Sequence, residues 1–302
     1  MRVGITGGTG FLGRALARHL EASGHEILIF TRNPGAARDR LPETYRVDVW
    51  DPVGEPLDPT HLDGLDAVVH LVGETLLGLP TPARARRVRA SRIEATRHLV
   101  EGWRRAGTPP GVLLSSSASG YYGDRGETPL TESVAPGTGF LADLCRDWEA
   151  EAVAAEALGV RVVRLRTSLP LHPEGGFLAT LLPLFRLGLG ATLGSGRQWM
   201  PWIHLQDWLA MVTWALTTGT VSGPLNVTAP EPVRNETFSR TLAGVLGRPL
   251  FLRIPELLLR QLEAARELAL ASQRLIPEVA ARHGFSPRFP ELEPALRDLL
   301  DR

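Results

Sequence analysis

The sequence predicts an α/β protein: a doubly wound parallel sheet followed by a smaller, mostly helical C-terminal lobe. Three observations predict it. Short β-branched runs alternate with longer helical patterns through the first half, as expected of a parallel sheet with helices on both faces. Ala67-Val68-Val69-His70-Leu71-Val72 is nearly continuous in apolar residues, which suits a strand covered on both faces. Past Gly223-Pro224-Leu225-Asn226-Val227 the strand pattern stops, and from Thr237 onward the chain reads as helix broken by proline.

In order, the strands are Val3–Thr6, Ile27–Thr31, Tyr45–Val49, Ala67–Val72, Val112–Ser115 and Val160–Leu165, with Gly223–Val227 as a later one. Helical stretches lie at Leu12–Ala22, Ala83–Ala106, Leu141–Leu158 and Trp208–Leu216. Between Leu169 and Trp202, Pro, Gly and Trp punctuate the chain without a clear period. The prolines that break the last stretch are Pro249, Pro255, Pro277, Pro287, Pro290 and Pro294. The expected division is residues 1–169 with 203–228 in the sheet domain, and 170–202 with 229–302 in the second lobe.

Composition excludes several chemistries. All 33 basic side chains are Arg, and the 302-residue chain has no Lys. A Schiff-base lysine, a P-loop lysine and a catalytic amine are therefore absent, and Arg cannot replace them because its guanidinium keeps its proton. The bias is read as codon usage in a GC-rich genome, with a thermophilic source as the alternative. Thirty-three acids balance the Arg residues, so no long-range field favours nucleic acid or an anionic membrane. One Cys allows neither an internal disulfide nor a multi-Cys metal site and fits a reducing compartment. No His/Asp/Glu cluster has metal-ligand spacing. Phe177 to Gly194, the most apolar long stretch, carries Pro183, Arg186 and several Gly, so it is not read as a membrane span. Met1 leads straight into the first strand, and a soluble, cytoplasmic protein is expected.

Thr6-Gly7-Gly8-Thr9-Gly10-Phe11-Leu12-Gly13 follows the first strand and opens the first helix. Gly7 permits a tight turn, Gly10 lets backbone N–H groups approach a pyrophosphate, and Gly13 lets the helix pack closely on the strand. The helix N-terminus adds partial positive charge. The segment reads as the nucleotide-binding turn of a Rossmann-type domain, the alternative being a strand–helix turn with no ligand. Residues Gly7, Thr9, Gly10, Phe11, Leu12 and Gly13 are the candidate phosphate contacts, and Leu71, Val72 and Gly73 at the end of the fourth strand are further candidate cofactor contacts. NAD enzymes place an acid at the end of the second strand. Here Phe30-Thr31-Arg32-Asn33 offers Arg32 instead, which favours the 2′-phosphate of NADP; the alternative is a surface Arg in an Arg-rich chain. Asp48 and Val49 end the third strand, and Asp48 is read either as an acceptor for the adenine amine or as a turn residue.

These residues resemble the short-chain dehydrogenase/reductase superfamily, in its extended and atypical branch. They resemble most its NAD(P)-dependent sugar-nucleotide-epimerase-like group, some bacterial members of which are labelled cell-division-inhibitor-like. The resemblance runs through four segments in order: Gly7 to Gly13, Ser115-Ser116-Ser117-Ala118-Ser119-Gly120-Tyr121-Tyr122-Gly123-Asp124, Gly194-Ser195-Gly196-Arg197-Gln198 with Trp202-Ile203-His204, and Ala271-Ser272-Gln273-Arg274-Leu275-Ile276-Pro277. It implies an epimerase/dehydratase-like oxidoreductase using NADP(H) on a carbonyl or sugar-like small molecule. In that superfamily a Ser works with Tyr-x-x-x-Lys on one helix face. Ser117 matches the Ser, while the pair falls on Leu141 and Cys145, so the usual Tyr and Lys are missing. A catalytic Cys145 and a buried helix Cys are both open.

Tyr121 and Tyr122 are the remaining candidate acids beside Ser117. A Tyr without a cationic neighbour keeps a pKa near roughly 10 and is a poor base at neutral pH, but it can donate a hydrogen bond to a carbonyl. For each of these residues a turn or core role stands equally open. Candidate substrate contacts are Ser119, Arg197, Gln198, Trp199 and Trp202; for the tryptophans, packing is the alternative. Where related epimerases carry an Arg that grips the nucleotide diphosphate, this chain has Met200, which puts a nucleotide-sugar substrate in doubt. His204 and Asp207 are read as orienting backbone. The Arg84, Arg86, Arg87, Arg89, Arg92 and Arg97 run is read as a solvated face, with contact to cofactor phosphates as the alternative. The second functional reading is a catalytically reduced NADP(H)-binding sensor or regulatory protein. The expected partner is a small-molecule substrate, with no nucleic acid and no membrane, and a homodimer is left open.

Overall fold

The computed structural model describes residues 1–62, 64–76, 81–260, 267 and 269–301. Its main sheet has seven strands, in spatial order Gly223–Val227, Arg161–Thr167, Val112–Ala118, Ala67–His70, Arg2–Thr6, Glu26–Thr31 and Arg46–Val49. The strands are β1 (Arg2–Thr6), β2 (Glu26–Thr31), β3 (Arg46–Val49), β4 (Ala67–His70), β5 (Val112–Ala118), β7 (Arg161–Thr167) and β12 (Gly223–Val227). β1 pairs in parallel with both β2 and β4, β2 with β3, and β4 with β5. The fold class is the doubly wound α/β arrangement expected from the alternating pattern. Sheet order reverses between β1 and β4, and such a switch point is where ligands meet the carboxyl ends of the strands.

The chain divides into two compact units. The first comprises Met1–Ser117, Leu144–Leu165 and Val212–Pro224. Helices α1 (Phe11–Ala22), α3 (Pro82–Ala90) and α4 (Ile93–Ala106) belong to it, and one of its cores gathers Leu28, Phe30, Trp50, Leu99, Trp103 and Val160. The long helix expected over Ala83–Ala106 is two helices, because Ser91 caps the first and Arg92 turns the chain with φ −114°. The expected helix Leu141–Leu158 is α5 (Phe140–Val153) continued by a 3₁₀ segment, Ala154–Leu158.

The second unit comprises Ala118–Asp143, Arg166–Met211 and Leu225–Arg302. Its core joins Leu178, Leu182, Trp202, Phe238 and Leu296. Among the described residues, four two-stranded ladders occur besides the main sheet. Two of them, Trp202–His204 on Leu169–His172 and Trp199–Met200 on Val233–Arg234, account for the aperiodic stretch between Leu169 and Trp202. That stretch also holds α6 (Gly176–Arg186), a helix the sequence reading missed because Pro183 lies inside it. Part of the helical reading after Thr237 falls on residues 261–266 and 268, outside the described residues.

Candidate functional site

The turn after β1 is built for close backbone approach. Gly7 has φ +69°, and a Cβ there would come within 2.8 Å of the Leu71 carbonyl. A Cβ on Gly13 would collide with the Gly7 oxygen. Gly10 differs: its Cβ direction meets only the Gly7 oxygen, at 3.2 Å, so its outer side is open. Gly10 N–H donates to Gly7 O at 3.0 Å and closes the turn. Helix α1 starts at Phe11 with no side chain capping it, the arrangement that suits an anion. Thr9, Phe11 and Leu12 are half-buried around this opening, and Arg14 Nη1 donates to Thr9 O at 2.6 Å.

The neighbouring strand end is held by a buried network. Thr6 Oγ1 lies 2.8 Å from His70 Nδ1 and accepts the Leu71 amide at 3.2 Å. His70 Nε2 lies 3.1 Å from Thr96 Oγ1, which donates to Arg92 O and accepts from Trp148 Nε1. Since the Thr96 proton is committed to Arg92 O, His70 donates from Nε2 and accepts at Nδ1, the neutral tautomer. Burial pushes its pKa down to about 3. The network fixes Leu71-Val72-Gly73 beside Gly7. A Cβ on Gly73 would come 3.0 Å from the Arg92 guanidinium carbon.

At the end of β2, Arg32 is exposed, with no carboxylate in Phe30–Asn33. Asn33 instead caps α2 (Pro34–Arg38), accepting the Ala36 amide at 3.0 Å. Asp48 is held from both sides, by Arg46 at 2.8 Å and His61 at 2.8 Å. Burial pushes its carboxyl up, but these hydrogen bonds outweigh it and hold the group below the usual carboxylate range. Val49 beside it is 58% exposed, an apolar face at the strand end.

Ser117 ends the buried part of β5, and its hydroxyl donates to Glu149 Oε1 on α5 at 2.7 Å. Glu149 Oε2 lies 3.5 Å from Arg164 Nη1 on β7. The sequence reading missed Glu149, because its partner is 32 residues away and a Glu in a helix carries no motif. Cys145, one turn earlier, is buried.

In the second unit the two tyrosines part. Tyr122 is 0% exposed. Its hydroxyl donates to Asn226 Oδ1 at 2.7 Å and accepts from Arg166 Nη1 at 2.9 Å. Burial raises its pKa to about 12 against the pull of Arg166. That hydroxyl is engaged in a core network that also includes Glu132, which accepts the Asn226 and Val279 amides. Tyr121 is half-buried, with the Arg166 guanidinium 3.4 Å from its ring centre. Ser119 opens the same 3₁₀ turn, half-buried.

Two of the candidate substrate contacts are buried. Trp202 is 0% exposed, in the core, with Nε1 donating to Glu231 O at 3.2 Å. Gln198 is buried and its amide donates to Leu193 O and Ala269 O. Trp202 sits on the strand Trp202–His204 and Gln198 lies just before Trp199–Met200, each with its side chain bonded to backbone carbonyls. Trp199 is half-buried between Arg234 and Arg274, and its Nε1 donates to Glu127 Oε2 at 2.9 Å. Arg197 is exposed. Met200 is buried. Asp207 accepts the Arg288 and Phe289 amides, and His204 stacks on Phe289 with ring centres 4.1 Å apart.

The second unit also holds a cleft of about 410 Å³. Gly120, Asp124, Leu141, Glu256, Glu267 and Gln273 are among its lining residues. Glu267 accepts the Phe140 and Leu141 amides at 3.0 and 2.9 Å and so caps the start of α5. Its partner is 126 residues away, a cap with no local sequence signal. The basic run of the first unit is mostly paired: Arg89 with Asp147, Arg97 with Glu151, Arg87 with Glu74, and Arg92 with Glu74 O. Among the described residues no His, Cys, Asp and Glu group could hold a metal ion, and no helix is long and apolar enough to cross a membrane.

Residues 3–228, from the glycine turn through the whole sheet, match the family described as the NAD dependent epimerase/dehydratase family. This chain belongs to that family. Residues 254–299 match a domain of unknown function, DUF1731. The chain is 38% identical over 286 residues to the epimerase family protein Mb2239 of Mycobacterium bovis, covering 94% of this chain and 92% of that protein. It is 35% identical over 303 residues to the epimerase family protein YfhF of Bacillus subtilis, covering 99% and 98%. A crystal structure of the human epimerase family protein SDR39U1 (isoform 2) with NADPH superposes with a TM-score of 0.89 at 32% identity, covering 100% of both chains. The glycine turn follows β1, at the switch point of this sheet.

Proposed function

We propose that the chain is an NADP(H)-dependent, epimerase/dehydratase-like oxidoreductase acting at a hydroxyl or carbonyl carbon of a sugar-like small molecule. The observation that carries this reading is the cradle of Gly7, Gly10 and Gly13, closed to side chains on the inner face and open at Gly10. An exposed Arg32 stands where an NAD enzyme places an acid. The human relative crystallised with NADPH supports the same choice.

The residues fit the dinucleotide. Amides of Gly7, Thr9, Gly10, Phe11, Leu12 and Gly13 would hold the pyrophosphate, and Arg32 the 2′-phosphate. Val49 would cover the adenine, while Asp48, already bound to Arg46 and His61, shapes that edge. Leu71, Val72 and Gly73 would line the path toward the nicotinamide, which supplies or takes up hydride when bound. In the first unit Ser117 would meet the substrate oxygen; Tyr121, in the second, remains a proposed hydrogen-bond donor. Ser119, Arg197 and Trp199 remain proposed substrate contacts, and the buried Met200 gives no grip on a nucleotide diphosphate. Calorimetric titration with NADPH and NADH tests the cofactor assignment; a preference for NADH overturns it.

A second reading, a catalytically reduced NADP(H) sensor or regulator, is favoured by one observation. Helix α5 holds Leu141 and Cys145 at the i,i+4 positions onto which the resemblance counts the superfamily's Tyr and Lys. Hydride exchange between deuterium-labelled NADPH and a panel of carbonyl compounds separates the two. Exchange with any member supports the enzyme, and tight NADPH binding with none supports the sensor.

A further inference from the structure

We propose that Glu149 is the proton acceptor behind Ser117, so that Ser117 meets a substrate hydroxyl rather than a carbonyl. The inference rests on the reading above, in which Ser117 contacts the reacting oxygen.

A serine hydroxyl has one proton to donate. That of Ser117 goes to Glu149 Oε1, 2.7 Å away. Both residues are enclosed, Ser117 at 4% and Glu149 at 3% exposure, so water does not compete for the bond. The Arg164 guanidinium, 3.5 Å from Glu149 Oε2, completes an ion pair, and a carboxylate so paired only accepts hydrogen bonds. On its other side Ser117 Oγ therefore offers lone pairs. A carbonyl oxygen also offers lone pairs and is repelled, whereas a hydroxyl brings the missing proton.

Glu149 lies eight residues beyond Leu141 and four beyond Cys145 on α5, a spacing that keeps all three on one helix face. In the oxidising direction the substrate O–H bond breaks and its proton moves to Ser117 Oγ. The Ser117 O–H bond breaks in turn, and that proton moves to Glu149 Oε1. The electron pair left on the substrate oxygen forms the carbonyl bond as the carbon's hydrogen departs as hydride, whose acceptor is the oxidised dinucleotide. Reduction returns both protons along the same path. Because Glu149 acts through Ser117, it is a positioning residue with no contact to the substrate.

The test uses the whole chain saturated with NADP⁺ and two small probes. Trifluoroethanol carries a hydroxyl donor; dimethyl sulfoxide carries only an acceptor oxygen. Binding of each is followed by NMR titration, so no turnover is needed. The wild type is expected to favour trifluoroethanol by about tenfold or more, the size of one hydrogen bond to a charged system. Glu149→Asp keeps that preference. Glu149→Gln, whose amide donates to Ser117 and turns the Ser117 proton outward, reverses or abolishes it. Ser117→Ala abolishes it as well and carries the test should the Gln variant fail to fold. Equal affinity of the wild type for both probes, no binding of trifluoroethanol, or an unchanged ratio in the Gln or Ala variant overturns the proposal. Wild-type protein that does not bind NADP⁺ at all overturns the functional reading instead, so the two failures are distinguishable.

Discussion

Gly13 lies so close to Gly7 that a side chain on Gly13 would displace the turn that joins β1 to α1. A Cβ on Gly13 would meet the Gly7 carbonyl and come 2.6 Å from Gly8 Cα. The contact is backbone against backbone, with no flexible side chain to give way.

Gly13→Ala is therefore expected to shift α1 off the strand. Overpacking of this kind costs about 1–3 kcal/mol, read as a lower urea midpoint. NADPH affinity should fall by about tenfold or more, since the displaced turn is the proposed pyrophosphate cradle. Unchanged affinity would separate the turn from the cofactor.

Tyr122→Phe should act on stability alone. Removing the hydroxyl leaves the buried Arg166 and Asn226 each short of a partner, at a cost of about 1–3 kcal/mol. NADPH affinity should stay at the wild-type value. A variant of normal stability that loses hydride transfer would place Tyr122 in the catalytic set.

His70 gives a pH dependence with a defined sign. Its folded pKa, pushed down to about 3 by burial, lies below the ordinary 6.5. Between these values the unfolded chain binds a proton that the folded chain excludes, so stability falls as pH drops from 6.5 toward 3. Each pH unit within that window removes up to about 1.4 kcal/mol. His204, also lowered by burial, acts in the same sense. Glu132, raised by burial, acts oppositely, because the folded state keeps its proton longer. His70→Gln isolates the first contribution: urea titrations at pH 7 and pH 5 should show a smaller loss in the variant than in wild type. An identical loss would mean that His70 is protonated in the folded protein.

The sheet was legible because its signals are local. Alternation of period two and runs of β-branched residues mark strands wherever they occur, and the glycine triplet from Gly7 to Gly13 announces its turn chemistry in seven residues. Helix α6 was hidden by Pro183, which reads as a break although the helix accommodates it. The site was legible only where it is contiguous. Glu149 behind Ser117 and Glu267 over the start of α5 are made by residues 32 and 126 positions apart, and a single chain gives no covariation to join them. Tyr121 and Tyr122 are adjacent and identical in type, yet one packs under Arg166 while the other has its hydroxyl buried. Only the register of the 3₁₀ turn separates them.

The central claim is that this fold carries NADP(H) through its glycine turn and Arg32. Isothermal titration of NADPH and NADH into wild type and Arg32→Ala tests it most directly. The account predicts that wild type prefers NADPH by about tenfold or more, the scale of a charge-assisted phosphate contact. Arg32→Ala should erase that preference while leaving NADH affinity unchanged. Equal affinity of wild type for the two dinucleotides, or an NADPH affinity indifferent to the loss of Arg32, would contradict it.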